Sequence, residues 1–509
     1  MKFNSSLSAS EQTELRPQVA STSSIQSAIG KTPQNGNPLI AHKFGADPYA
    51  LVFRNRVYMY MTSDTLEYDM EGLLQKNSYK SINRITIISS DDLLNWTDHG
   101  EVLVAGPQGA APWATQSWAP AAAHQIIEGK DRFFLYFANN ASGIGVLTAP
   151  TPVGPWTDPI GEALITRETP GVEEVTWLFD PAVLVDEDHR AYIYFGGGIP
   201  EGKAERPDTA RVMRLGEDMT SVIGRAKVIP APYMFEDAGI HKFNNTYYFT
   251  YCSNFYEGDR PEGSPPPGEI AYMTSSQPMG PWTYRGCILK NPGHFFGVGG
   301  NNHHAIFQFA DYWYIAYHAQ TLSQAMDTPE GYRSTHLNRI NFDTADGHIH
   351  EVCADVQGVD QVKFFDPYEG LTAATMGWRS AGVKTKKLNL HDSVSSIESE
   401  VVITANMGSG RWIALSKVDF GHEGAASFSA TISNGGGDGV IELRLEQPDG
   451  QFIGQLLVEA SDVNHPWLDY STSVSDAQGV HDLYFVVHGI GSGKPDISIR
   501  QWKFETGKA

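Results

Sequence analysis

Residues 179–194 read FDPAVLVDEDHRAYIY, and the same pattern returns at four other places in the chain. The related stretches are ADPYALVFRNRVYMY at 46–60, WAPAAAH at 118–124, FEDAGIHKFNNTYYF at 235–249 and NNHHAIFQFADYWYI at 301–315. In four copies an opening residue precedes a Tyr or Trp by eleven or twelve positions: Asp47 and Tyr58, Asp180 and Tyr192, Glu236 and Tyr247, Asn302 and Trp313. Repeats of about sixty residues are typical of stacked or radially arranged units.

Each copy combines an apolar strand, a short polar turn and a second strand rich in Tyr and Phe, which predicts a β-hairpin. A second turn phrase follows each hairpin, so we expect five four-stranded units between residues 38 and 365. Radial closure buries the apolar faces of such units and leaves only short edges. The repeats therefore predict an all-β fold with a five-bladed β-propeller, and the absence of a 3.6-residue period predicts few helices.

The repeat ends near residue 370, where short alternating strands and Gly-rich turns such as NGGGDG at 434–439 take over. Short strands at this spacing are typical of a two-sheet β-sandwich of the jelly-roll type. We expect a flexible N-terminal arm at 1–36, the propeller at 37–368 and the sandwich at 369–509.

The chain of 509 residues carries a formal net charge of −22, which argues against nucleic acid or an anionic membrane as a partner. A polar, neutral ligand fits better, and we expect a monomer. No apolar run is long enough for a transmembrane helix. The N-terminus has no apolar core of a secretory signal, so localisation stays open: cytoplasmic for the sequence as it stands, secreted if a signal has been removed. The three cysteines match no disulfide or zinc pattern.

The first residue of each inner strand is expected at the mouth of the propeller channel. This placement brings Asp47, Asp180 and Glu236 together, with Ala119 and Asn302 completing the ring. Clustered buried carboxyl groups repel one another and are candidates for function. Two such groups across a pocket can cleave a glycosidic bond, and a third can raise the pKa of the proton donor.

Aromatic side chains near these positions favour a sugar ligand, because sugar rings stack on aromatic faces. Trp118 and Trp177 lie just before two of the opening residues, and Phe255 follows the second strand of the fourth copy. The alternative is that these rings belong to the cores between blades.

The fifth copy contributes a group of histidines, His303, His304 and His318, that could hold a metal ion or be satisfied core residues. Arg333 and Arg339 follow, and either could pair with the acids or bind a sugar hydroxyl. No Gly-rich phosphate loop is present.

The motifs ADP at 46–48, WAP at 118–120 and FDP at 179–181, with Glu236 and YH at 317–318, resemble glycoside hydrolase family 43 in order. The resemblance covers about residues 37–365. It implies a five-bladed propeller and hydrolysis with inversion at the anomeric carbon. It also implies arabinofuranosyl or xylosyl substrates from plant cell-wall polysaccharide.

By this resemblance Asp47 is the general base, Asp180 the acid that tunes and orients, and Glu236 the general acid. The sugar contacts would be Trp118, Trp177, Phe255, Asn302 and Arg339. His318 would contact a calcium ion or its water shell in the channel, and the chemistry itself would need no cofactor.

The tail resembles carbohydrate-binding module family 6 through the stretches 412–432, 441–454 and 479–487. Trp467 could be one ligand-facing aromatic residue, but Asn406 stands where the partner ring is expected. The closing loop also lacks the usual ligand Asn. The module therefore binds sugar weakly, binds it elsewhere, or braces the propeller.

Together these features predict an exo-acting α-L-arabinofuranosidase on arabinoxylan or arabinan. The nearest rival is a β-xylosidase, since both sugars are pentoses. A propeller lectin without turnover is the rival from another class, and the three acids in register argue against it. A protein-docking propeller would need no axial acids and would usually carry WD-like signatures, which are absent.

Overall fold

The computed structural model describes residues 24–391, 398–462 and 466–507. The all-β prediction is confirmed: these residues form β-strands joined by turns, with two short helices, α1 (Pro292–Phe296) and α2 (Thr321–Ala325). No helix in the described ranges is long and apolar enough to cross a membrane.

Residues 46–340 form five separate antiparallel sheets, one for each copy of the repeat. The strands are, sheet by sheet, β1 (Ala46–Phe53), β2 (Arg56–Thr62), β3 (Arg84–Ser90) and β4 (Trp96–Leu103); β5 (Trp118–Ile127), β6 (Lys130–Ala138) and β7 (Ile144–Ala149); β8 (Ala182–Val185), β9 (Ala191–Phe195), β10 (Ala210–Leu215) and β11 (Val222–Ile229); β12 (Met234–Phe243), β13 (Thr246–Ser253), β14 (Ile270–Ser275) and β15 (Thr283–Leu289); β16 (His304–Phe309), β17 (Tyr312–Ala319) and β18 (Ser334–Ile340).

The first strands of the five sheets lie side by side in a closed cycle. β1 packs against β5 and β16, β5 against β8, β8 against β12, and β12 against β16. Five apolar cores join successive sheets, because alternate side chains of each strand face opposite neighbours. Representative buried pairs across these cores are Tyr60 with Leu135, Tyr136 with Ile193, Tyr194 with Phe249, Tyr248 with Ile315, and Tyr314 with Met59.

The C-terminal part forms two further sheets that enclose one apolar core. Its strands are β19 (Leu371–Thr372), β20 (Thr375–Met376), β21 (Trp378–Arg379), β22 (Lys384–His391), β23 (Glu398–Met407), β24 (Trp412–Asp419), β25 (Ala425–Asn434), β26 (Gly439–Leu445), β27 (Gln451–Val458), β28 (Leu468–Ser473), β29 (Val480–Gly489) and β30 (Ile497–Thr506). One sheet has the order β22-β23-β30-β25-β28, with β19 also on β30, and the other β21-β24-β29-β26-β27. Phe428, Phe485 and Trp502 pack together in the core.

The C-terminal part is joined to the first sheet by strand pairing, since β20 pairs with β4. Asp98, whose side chain is fully buried on β4, lies at this junction. One of its oxygens, Oδ2, lies 2.8 Å from both His42 Nε2 and Lys43 Nζ and accepts a hydrogen bond from the Thr385 hydroxyl at 2.6 Å. Burial alone would raise the pKa of Asp98, but Lys43 and His42 together lower it well below its ordinary value.

Residues 1–23 of the predicted N-terminal arm lie outside the described ranges, whereas residues 24–36 make specific contacts with the rest of the protein. The Gln26 carbonyl accepts a hydrogen bond from the Trp412 indole at 2.7 Å, and the Asn35 carbonyl accepts one from Trp378 at 2.9 Å. Lys31 is buried and donates to the Leu39 carbonyl at 2.9 Å. The segment is thus attached mainly through hydrogen bonds, which a polar sequence can supply.

Asp98→Asn is expected to lower the free energy of unfolding by about 3 kcal/mol, because it leaves a buried cationic environment without its carboxylate. The wild-type contribution is fully present above the unfolded Asp pKa of about 3.9 and is lost as pH falls below it toward the lowered folded pKa. Urea denaturation between pH 3 and 7 tests both points. An equal loss of stability in wild type and variant on acidification would contradict this role.

Candidate active site

A cavity of about 500 Å³ opens where the first strands of the five sheets begin. Its polar lining includes three carboxyl groups, an imidazole and a guanidinium, from Asp47, Asp180, Glu236, His303 and Arg333. Its aromatic lining comprises Tyr79, Trp118, Phe179, Phe235 and Phe255. The three acids predicted from the repeats therefore share one pocket, although they are far apart in sequence.

The backbone turns sharply at these positions. Asp47, Ala119, Asp180 and Asp237 have left-handed φ values of 47°, 38°, 49° and 68°. Strand pairing is interrupted at Asp47, Ala119 and Asp237, as expected for β-bulges, which change the direction of side chains. Such conformations cost about 1–3 kcal/mol each in non-glycine residues and cluster at functional sites.

The cross-strand register corrects the equivalence of the copies. Tyr49 pairs with Tyr60 and Gly239 with Thr250, so the residue in the register of Asp47 in the fourth sheet is Asp237 rather than Glu236. In the fifth sheet Ala305 pairs with Ala316, which puts His303, not Asn302, in that register. The equivalence of the copies inferred from the sequence is therefore off by one residue in the fourth and fifth sheets. Glu236 nevertheless reaches the cavity, from the position before Asp237.

Asp47 is held by a buried guanidinium. Arg333 Nη1 donates to Asp47 Oδ1 at 2.8 Å, and the rest of the Arg333 fork donates to both oxygens of Asp64 at 2.8 and 2.9 Å. Rings of His303 and His318 lie 3.6 and 3.1 Å from the same Asp47 oxygen. Burial alone would raise the pKa of Asp47, but Arg333 and His303 outweigh it and lower the pKa below its ordinary value.

Asp180 and Glu236 have the opposite electrostatic environment. Burial raises the pKa of both carboxyl groups well above the ordinary value. Asp47 raises the pKa of Asp180 further, and Asp180 and Asp47 raise the pKa of Glu236 further. Asp180 Oδ2 accepts a hydrogen bond from the Asp237 backbone N–H at 2.9 Å. Glu236 Oε1 has no partner among the described residues. The pocket thus pairs a carboxyl group whose pKa is lowered, Asp47, with one whose pKa is raised, Glu236.

His318 does not fit direct coordination of a metal ion. Its Nε2 is hydrogen-bonded to the Asn301 carbonyl at 2.9 Å and therefore carries the proton. Its Nδ1 accepts the backbone N–H of Asp47 at 3.2 Å, so both nitrogens have partners. Among the described residues no group of three or more His, Cys, Asp or Glu side chains is arranged to hold a metal. His318 thus holds the backbone N–H of Asp47.

The predicted sugar contacts divide into two groups. Trp118 and Phe255 line the cavity, and Phe255 is 42% exposed at its rim. Trp177 lies behind the wall, packed edge-on against Phe179 and Phe235 with ring centroids 5.3 Å away in each case. The Trp177 side chain therefore supports two lining rings instead of lining the cavity itself.

Asn302 and Arg339 also lie outside the lining. Asn302 is fully buried and donates to the Gly268 carbonyl at 3.2 Å. Arg339 is exposed on β18, with its guanidinium 3.4 Å from the centroid of the Tyr312 ring. Arg333 takes the place expected for Arg339. Both had been open candidates in sequence, and only the turn before β18 brings Arg333 inward.

Tyr79, Asp64 and Asp237 were missed by sequence reasoning. Tyr79 and Asp64 come from the long connection between β2 and β3, which carries no repeat signal. Asp237 directly follows the predicted acid Glu236. Matching the fourth copy to the first by strand register places Asp237 at the position of Asp47 and would have identified it.

In the C-terminal part, Asn406 does not face a ligand site. Its side chain donates to the Gly382 carbonyl at 2.7 Å, and its backbone is left-handed with φ 62°. A cleft of about 420 Å³ lies instead on the sheet formed by β25, β28 and β30, lined by Asp469, Tyr470 and Gln501 among others. Trp467 is partly buried and does not line this cleft.

A pocket with aromatic walls that holds two carboxyl groups whose pKa values are shifted in opposite directions has the groups that a glycosidase needs. The sequence model for glycosyl hydrolases family 43 matches residues 36–349, and the chain belongs to this family. The model of carbohydrate binding module (family 6) matches residues 373–506. The protein is therefore a glycosidase with a module of that family at its C-terminal end.

The protein is similar along nearly its whole length to arabinoxylan arabinofuranohydrolases. That of Paenibacillus polymyxa is 49% identical over 488 residues, covering 94% of this chain and 75% of that protein. That of Bacillus subtilis (strain 168) is 48% identical over 489 residues, covering 94% and 93%. A crystal structure of a family 43 arabinoxylan arabinofuranohydrolase from Bacillus subtilis, in complex with cellotetraose, superposes with a TM-score of 0.90 at 48% identity, covering 94% of this chain and 99% of that one.

Proposed function

We propose that this protein is an arabinoxylan arabinofuranohydrolase that releases terminal α-L-arabinofuranosyl residues with inversion at the anomeric carbon. The observation that carries the proposal is the convergence of Asp47, Asp180 and Glu236 in one cavity. Identity of 48–49% to arabinoxylan arabinofuranohydrolases over 94% of the chain supports the choice of substrate.

In the proposed mechanism Asp47 is the general base and Glu236 the general acid. Asp47 accepts a proton from water as the water oxygen bonds to the anomeric carbon. Glu236 gives its proton to the glycosidic oxygen as the bond from that oxygen to the anomeric carbon breaks. One water is consumed, and each carboxyl group then exchanges its proton with solvent. No metal is needed for these steps.

Asp180 tunes and orients the general acid in this proposal. Burial is the largest cause of the raised pKa of Glu236, and Asp180 is the neighbouring acid that raises this pKa most. The cavity of about 500 Å³ is large enough for a terminal pentose against the aromatic walls, which suits an exo-acting enzyme.

We propose further that the five sheets are the blades of a propeller and the two C-terminal sheets a jelly-roll sandwich. The closed cycle of first strands and the core enclosed by the last two sheets support this. The proposed domains are 37–368 and 369–509, with residues 24–36 attached to the second. The matched family 6 module supports polysaccharide binding by the C-terminal domain.

Arg333→Gln is expected to move the acidic limb of the kcat/KM profile to higher pH. The guanidinium is the strongest group lowering the pKa of Asp47, so its loss raises that pKa and Asp47 is ionised only at higher pH. Arg339→Gln is the matched control, since its side chain lies outside the cavity. Equal profiles for the two variants would exclude Arg333 from this role.

The function is tested by incubating the protein with paired aryl α-L-arabinofuranosides and β-D-xylosides, while proton NMR follows the anomer first released. Arabinose released from the arabinofuranoside with inverted configuration supports the proposal. Turnover of the xyloside alone would make the protein a β-xylosidase. Binding without turnover would make it a lectin.

A further inference from the structure

Asp237, the residue after Glu236, is fully buried and has no part in the mechanism above. Both of its oxygens are bound by one residue of the neighbouring sheet. Oδ1 accepts the backbone N–H of His304 at 3.1 Å, and Oδ2 is hydrogen-bonded to the ring Nδ1 of His304 at 2.5 Å. The His304 ring is fixed in turn by Thr250, whose hydroxyl lies 2.7 Å from Nε2.

Space for this arrangement is reserved by a glycine. A Cβ at Gly239 would lie 2.3 Å from the Thr250 hydroxyl and 3.2 Å from the His304 ring. Asp237 is thereby clamped between β12, which carries it, β13 and β16. Its left-handed backbone, with φ 68°, persists because these contacts over-determine it.

The clamp holds the backbone from which both catalytic neighbours are positioned. Glu236 projects from the preceding residue. The backbone N–H of Asp237 donates to Asp180 Oδ2 at 2.9 Å. On the cavity side, Asp237 Oδ1 lies 3.2 Å from Nε2 of His303, whose other ring nitrogen lies 3.6 Å from Asp47 and 3.9 Å from Asp180. Asp237 is thus linked to all three acids: to Glu236 along the chain, to Asp180 through its backbone N–H, and to Asp47 through the His303 ring.

We propose that Asp237 is a positioning residue: clamped by His304, its carboxyl group fixes the turn that aims Glu236 at the glycosidic oxygen and ties Asp180 beside it. This inference rests on the proposed roles of Glu236 and Asp180. An acid that is displaced by even a fraction of an ångström donates its proton poorly, whereas substrate binding on the aromatic walls is little affected.

Asp237→Ala is expected to lower kcat by about 10–100-fold with KM changed by less than about threefold, the usual size of effects on groups that orient a functional residue. The loss should be greater for phenyl than for dinitrophenyl arabinofuranoside, because the second leaving group needs little protonation. Asp237→Asn should restore most of kcat, because its amide oxygen can accept the His304 backbone N–H and its NH2 can donate to Nδ1 of the His304 ring when Nε2 carries the ring proton and donates to Thr250. All rates are taken per folded molecule at matched thermal stability.

Asp92→Ala is the matched control. Asp92 is equally buried and accepts backbone N–H groups, but it lies in the turn after β3, outside the cavity. The Asp92→Ala variant should be less stable than the wild type, but its kcat and the dependence of its rate on the leaving group should be unchanged. If Asp237→Ala does not fold, His304→Gln breaks the same clamp and should show the same leaving-group dependence.

Two results would overturn the inference while the proposed function stands. One is a wild-type kcat in Asp237→Ala, and the other is a loss of kcat that is equal for both leaving groups and is not restored in Asp237→Asn. A wild-type enzyme inactive on every aryl pentoside would refute the proposed function, and this inference with it. An enzyme active only on xylosides would refute the proposed substrate, and the same comparison on xylosides would then decide the role of Asp237.

Discussion

Glu236→Gln is expected to lower kcat on arabinoxylan by about 10²–10⁴-fold, or about 3–5 kcal/mol in activation free energy. Gln has nearly the shape of protonated Glu but has no acidic proton to give to the leaving oxygen. Burial, Asp180 and Asp47 raise the pKa of the wild-type side chain well above its ordinary value, which favours its protonated form, and its Oε1 has no partner among the described residues.

The measurement compares substrates of different leaving-group basicity. Dinitrophenyl arabinofuranoside should be hydrolysed by Glu236→Gln at close to the wild-type rate, because its leaving group departs without a proton, while xylan-linked arabinose is released very slowly. In the wild type, activity should fall as pH rises through the raised pKa of Glu236, and this alkaline limb should disappear in the variant. Glu442→Gln, a buried acid of the C-terminal part, is the control. A uniform loss on all substrates would contradict a general-acid role.

Asp47→Asn is expected to lower kcat by a similar factor of about 10²–10⁴, but with a different signature. The loss should be the same for all leaving groups, because the missing step is deprotonation of the attacking water. Asn can still accept the Arg333 hydrogen bond, which Asp47 receives at 2.8 Å, so the fold should be kept.

Azide distinguishes the base from the acid. It attacks the anomeric carbon without losing a proton, so it should restore turnover of activated aryl substrates in Asp47→Asn and give a glycosyl azide of inverted configuration. Asp92→Asn, with its carboxylate outside the cavity, is the control for loss of a buried acid. Activity within threefold of wild type in Asp47→Asn, or no response to azide, would remove Asp47 from the proposed role.

The two predictions depend on opposite shifts of chemically similar groups. Asp47 lies against Arg333, which lowers its pKa, whereas Asp180 and Glu236 lie farther from that cation, and burial and neighbouring acids raise their pKa values. A single buried arginine thus divides the three acids into a base and an acid pair. Its fork is occupied on the other side by Asp64, which fixes its direction.

Much of the fold was predictable because the hairpin pattern is local. The alternation of apolar residues, the polar turns and the aromatic second strands lie within fifteen residues of one another in each copy, and each copy became one sheet. The acids Asp47, Asp180 and Glu236 could be chosen because the repeat itself marks their positions. Trp118 and Phe255 could be chosen because they adjoin those positions.

The sequence by itself determined an all-β chain and predicted a division near residue 370 and the three acids, since each depends on neighbours along the chain. Only the tertiary structure decided that Asp237 and His303 occupy the register of Asp47, that Arg333 rather than Arg339 faces inward, and that residues 24–36 bind the C-terminal part. A bulge of one residue reverses the direction of a side chain, and a buried ion pair joins residues nearly three hundred positions apart. Neither leaves a periodic trace in the sequence.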